Sequence, residues 1–153
     1  MPFKMFDTSK LNIKSLDERK HDVDLLSTII PVDSSPAIID DEKVRAIARA
    51  IVDAKKKTAA SILMYGAHVI RTGCSLYMIE LMKRGLVTHF ATNGAGSIHD
   101  FEFSLIGKTC ESVAKYVSEG QFGLWHETGM INDILSEGVE DGLGAGEAIG
   151  RYI

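Results

Sequence analysis

A chain of 153 residues, 45% of them hydrophobic, is long enough to bury one core without metal or disulfide staples and sits near the usual size of a single domain. Seventeen Lys and Arg against 21 Asp and Glu leave a formal charge of −4, and outside Lys55, Lys56 and Lys57 the cations are scattered, which excludes the basic stripe of a nucleic-acid groove. Two distant cysteines, Cys74 and Cys110, exclude a disulfide framework; with no secretory leader and no apolar run near the ~20 residues of a membrane span, the expected setting is reduced and cytoplasmic.

Residues 1–40 are expected to form an N-terminal arm. Asp40 and Asp41 then precede Val44, Ile47, Ala48 and Ile51, an i, i+3, i+4, i+7 stripe that closes on Lys55 to Lys57. Acidic residues at the start and basic residues at the end suit the helix dipole, so this spacing predicts a helix of about 16 residues. Ser61 to Tyr65 is a short apolar run closed by Gly66 and reads as a buried strand. Cys74 to Arg84 carries a helical period with Gly85 as its C-cap. Leu86 to Thr92, β-branched and aromatic, reads as a second strand running into Asn93-Gly94-Ala95-Gly96.

Strand, helix, strand is a parallel crossover unit, right-handed by the usual rule. Beyond it Asp100 to Ile106, Glu111 to Ser118, Thr128 to Ser136 and Glu147 to Tyr152 read helical, with Gly107, Gly120, Gly138 and Gly142 as stops. The fold class is therefore α/β, a Rossmann-like open parallel sheet with flanking helices over residues 41–153. Two strands cannot make a sheet buried on both faces, so the sheet is expected to be incomplete towards the C-terminus and finished by further chain or by a second copy in a homo-oligomer.

Ligands in open α/β sheets bind outside the carboxyl ends of the strands, where backbone N–H groups of a glycine-rich turn and a helix N-terminus converge. Thr92-Asn93-Gly94-Ala95-Gly96-Ser97-Ile98-His99-Asp100 is the strongest such signal, although Gly94-x-Gly96-x-x-His99 lacks the third glycine of the dinucleotide fingerprint. Its plain alternative is a tight turn with glycines at positive φ and Asp100 capping the next helix. Gly66 to Gly73 is a second turn on the same expected edge; there His68 and Arg71 suit a phosphate or carboxylate, or serve only as loop hydrogen-bonders. His99 beside Asp100 is a candidate base with its neighbour. No histidine pair has zinc-ligand spacing, so no metal is expected. Asp141 to Gly150 follows no strand and reads as a helix–loop–helix connection, and Trp125-His126-Glu127 reads as packing.

The stretches His68 to Gly73, Leu81 to Val87, Ala91 to Asp100 and Gly120-Gln121-Phe122-Gly123 to Glu127-Thr128-Gly129 resemble, in order and spacing, the deoxyhypusine synthase family. That resemblance implies the N-terminal part of an NAD enzyme that transfers the aminobutyl group of a polyamine. It implies NAD contacts at Ala67, His68, Arg71, Asn93, Gly94 and Ala95; Thr72 and Gly96 complete the two turns of the expected cofactor site. Asp100 keeps the family's aspartate, and His99 with Asp100 forms the expected catalytic pair. Ile98 and His99 stand where the family has glutamates, which removes a carboxylate from a cationic substrate. Two further expectations compete with a small-molecule transferase: a non-catalytic subunit of an oligomer, and a small-anion or nucleotide-binding module.

Overall fold

The computed structural model describes residues 3–34 and 40–153. The expected N-terminal arm includes residues 1–2 and 35–39, which lie outside the described residues. After short 3-10 turns at Thr8–Lys10 and Leu16–Glu18, the elements run β1 (His21–Asp24), α1 (Leu25–Thr28), α2 (Glu42–Lys56), β2 (Ile62–Tyr65), α3 (Ala67–Arg71) and α4 (Ser75–Lys83). They continue β3 (His89–Thr92), α5 (Gly94–Ile106), β4 (Lys108–Glu111), α6 (Val113–Ser118), α7 (His126–Glu140) and α8 (Ala145–Tyr152). The fold is α/β with flanking helices and a small parallel sheet, as the hydrophobic patterning predicts. No helix among the described residues is long and apolar enough to cross a membrane.

The chain forms two compact units, one of Val23–Asp100 and one that joins Phe101–Ile153 to the segment ending at Asp22. In the Val23–Asp100 unit β2 and β3 pair in parallel, Ile62 opposite His89 and Tyr65 opposite Thr92. Helices α3 and α4 lie between them in sequence, which makes the expected crossover. Helix α2 starts where its cap signal sits, with the Asp41 carboxylate accepting from the Lys43 N–H at 2.7 Å. Gly73, at φ +86, links α3 to α4: a Cβ there would stand 2.1 Å from the Thr28 carbonyl oxygen, so only glycine allows this approach.

The other unit holds the larger core. Phe101, Ile134, Ala148 and Ile149 cluster where α7 meets α8, and Leu16, Tyr116 and Trp125 form a second cluster. Tyr116 and Trp125 meet edge to face with ring centroids 5.0 Å apart. Arg19 and Glu102 are both buried and form a bidentate pair at 2.9 and 2.7 Å. Thr109 and Thr128 each donate to the same carboxylate at 2.7 Å. With every oxygen of Glu102 partnered, the charge is tolerated inside.

Several local expectations change. The strand expected to be buried over Ser61 to Tyr65 alternates, with Ile62 and Met64 exposed, because the two-stranded sheet covers one face at most. Residues 67–71 of the expected second turn wind into α3. Gly138, expected as a stop, lies inside α7, where it packs against Ala148. The helix expected from Asp100 begins at Gly94, because Asn93 rather than Asp100 caps it. Gly94 and Gly96 consequently stand in a helical first turn and neither has positive φ. The helix expected over Glu111 to Ser118 starts only at Val113, since Lys108–Glu111 is drawn into a two-stranded sheet with β1.

Candidate functional site

The register that sets Tyr65 opposite Thr92 brings the last residues of β2 and β3 to one edge, so the turns at Gly66 and Asn93 lie side by side. The Thr92 hydroxyl donates to the Tyr65 carbonyl at 3.1 Å and ties the two strand ends together. A Cβ on Gly66 would stand 4.0 Å from the Asn93 side-chain Nδ2, so the Asn93 side chain reaches the neighbouring turn. Thr92 opens the stretch that the sequence marks most strongly, whereas Tyr65 is not picked out by sequence patterning, although each is its strand's last residue. That position is the signal that marks them.

The Asn93 side chain accepts from the Gly96 N–H at 3.1 Å and so starts α5. The N–H groups of Gly94 and Ala95, ahead of the helix's own acceptors, stand at the positive end of its dipole. The two glycines differ in what they allow. A Cβ on Gly96 would fall 2.1 Å from the Thr92 hydroxyl oxygen, so glycine is needed for the helix to seat on its strand. A Cβ on Gly94 meets nothing within 4 Å: that position faces open space. One glycine serves packing and the other leaves the helix entrance clear for an approaching group.

On the neighbouring turn, Ala67 is half-buried as the first residue of α3, whereas His68, Arg71 and Thr72 are exposed. The Thr72 hydroxyl donates to the His68 carbonyl at 2.5 Å, closing that turn. Asn93 caps α5 and Gly94, Ala95 and Gly96 form its first turn, beside Gly66; Ala67 opens α3 there, while His68, Arg71 and Thr72 follow along α3 to its C-terminal end. His99 and Asp100 follow in α5, and as adjacent helical residues their side chains leave the axis about 100° apart. Burial pushes the Asp100 carboxyl above its ordinary range. Burial, and then the Asp100 charge, push the Tyr65 hydroxyl up as well, against a hydrogen bond with Thr92 that lowers it. Among the described residues no three His, Cys, Asp or Glu side chains gather to hold a metal ion. Trp125, buried, donates its indole N–H to Glu111 at 2.7 Å.

A family model described as arginine dihydrolase ArgZ-like, C-terminal, Rossmann fold, matches residues 45–146, two thirds of the chain. No curated protein and no solved structure matches. The match overturns the resemblance to the deoxyhypusine synthase family, and with it the polyamine transferase reading and the NAD assignment drawn from it. The reason is physical: the stretches that carried the resemblance are the ends of helices and strands and the turns that join them. Asn93 as a cap, Gly96 as a packing glycine and Gly85 ending α4 at φ +60 meet the needs of parallel α/β crossovers in general, whatever chemistry they serve. The chain belongs to the arginine dihydrolase ArgZ-like C-terminal Rossmann-fold family.

Proposed function

We propose that this chain is a ligand-binding Rossmann domain whose site is the shared edge of β2 and β3 and whose ligand is a phosphate-bearing nucleotide. The observation that carries this reading is the pair of adjacent turns, with Gly94 facing open space at the entrance of α5 while Gly96 is held by packing. A phosphate at that entrance accepts from the first-turn N–H groups and gains from the helix dipole. Arg71 and His68, exposed along α3, supply side chains for the sugar or a second phosphate. In this reading Ala67, His68, Arg71, Thr72, Asn93, Gly94, Ala95 and Gly96 form the ligand site, with His99 and Asp100 beyond it on α5. A homo-oligomeric, cytoplasmic protein belongs to the same proposal. The family's description names arginine dihydrolase, and the chain would serve an arginine-processing protein as its nucleotide-binding part.

Calorimetric titration with ADP, which carries the adenosine and pyrophosphate common to the dinucleotides, tests it. The wild type is expected to bind, and Gly94→Val to lose affinity at least tenfold with an unchanged unfolding midpoint. Equal binding by both proteins, or heat from inorganic phosphate alone that ADP does not exceed, would overturn the nucleotide reading.

A further inference from the structure

Helix α2 carries an apolar stripe that its own unit leaves largely uncovered. Val44 and Ile47 are 51% and 61% exposed, Ala48 is exposed, and Ile51 is half-buried. These four residues share one face of a 15-residue helix. An apolar stripe left open on a regular element marks a contact surface.

The charges on the same helix say what covers it. Asp40, Asp41 and Glu42 stand at its N-terminal end and Lys55, Lys56 and Lys57 at its C-terminal end. A parallel neighbour of the same sequence would set like charge against like. An antiparallel neighbour sets each acidic end against a basic end, twice in one interface, and lets the stripe meet itself as a two-fold contact requires. Ala48 near the middle of the stripe permits close approach of the axes. We propose that α2 is the docking surface for a second copy of this chain, paired antiparallel through Val44, Ile47, Ala48 and Ile51.

The ion pairs now made within one copy, Asp40 with Arg45 and Lys56 with Asp53, are exposed and therefore cheap to exchange for pairs across the interface. One helix face on each side is a small contact by the standard of stable dimers, so the association is concentration-dependent. This inference stands apart from the nucleotide site, since α2 contributes none of that site's residues.

Sedimentation of the full chain from low micromolar to submillimolar concentration tests it. The wild type is expected to pass from monomer to dimer, and Ile47→Glu to remain monomeric with the same circular dichroism. Asp40→Lys with Glu42→Lys, and separately Lys56→Glu with Lys57→Glu, are each expected to weaken the dimer several-fold, and an equimolar mixture of the two to restore it. A wild type that is monomeric throughout, an Ile47→Glu dimer as strong as wild type, or a mixture no stronger than either variant alone would each overturn the proposal.

Discussion

The two units spend their apolar residues differently. The unit built on Phe101–Ile153 buries Phe101, Phe103, Tyr116, Trp125, Ile134 and Ile149, and closes a charged pair inside. The Val23–Asp100 unit buries Ile70, Met78 and Val87, but leaves Ile62, Met64, Ile79 and Met82 open alongside the α2 stripe. Stability is thus concentrated in one unit, while the ligand-competent turns sit in the other. Elements with thin local cores are those free to bind and adjust.

Glu102→Ala is the sharpest way to break that contrast, because it leaves the buried Arg19 guanidinium without its carboxylate. We expect a loss of about 3–5 kcal/mol in urea unfolding. A loss under ~1 kcal/mol would mean that the pair is not buried as described. Phe101→Ala, at a side chain with 0% exposure, should cost ~3–5 kcal/mol in the same assay. Met64→Ala, at 77% exposure in the other unit, should stay within about 0.5 kcal/mol. Comparable losses at Phe101 and Met64 would erase the distinction between the units.

Gly96→Ala should cost about 1–3 kcal/mol through its clash with the Thr92 hydroxyl, and pairing it with Thr92→Ala should recover part of that loss. Gly94→Ala has room and alanine is the better helix former, so it should cost nothing and add up to ~1 kcal/mol. Thermal unfolding of the three variants separates the two glycines; equal losses at 94 and 96 would contradict the assigned roles.

The smallest effect is the pH dependence. Burial and then the Arg19 charge hold His21 below its ordinary value of 6.5. Arg19 donates to its Nδ1 at 3.2 Å, so the neutral ring is the form that fits. The unfolded chain therefore takes up this proton more readily, and stability should fall as pH drops below 6.5. Burial alone would raise Glu102, but hydrogen bonds from Arg19, Thr109 and Thr128, with the Arg19 charge, bring it below its ordinary 4.5. It adds stability above pH 4.5 that is lost as pH falls further towards its folded value. Urea midpoints across this range should decline in two stages on acidification, and His21→Gln should flatten the first; an unaltered first stage in that variant would remove His21 from the account.

What the sequence made legible was local. Asp41, the Val44 to Ile51 stripe and the lysines fix α2 almost to its ends, because caps and periodicity act within a few residues. The adjacent turns follow from two short apolar runs separated by a helix. Strand β1, His-Asp-Val-Asp, is too polar to stand out, and β4 hides beside the helical run that follows it. The Arg19–Glu102 pair spans 83 residues, and nothing near either residue announces the other. The misleading resemblance has the same origin: turn residues such as Asn93 and Gly96 report the geometry of a crossover, and that geometry is shared by folds with different chemistry.

The central claim is that the shared edge of β2 and β3 is where this domain takes its ligand. Amide nitrogen–proton NMR of the full chain, titrated with ADP, tests that most directly. The account predicts that the largest shifts fall on the N–H groups of Gly66, Ala67, Gly94 and Ala95, with the Phe101–Ile153 unit little changed. Saturable shifts centred on α7 and α8, or a spectrum that ADP does not alter, would contradict it.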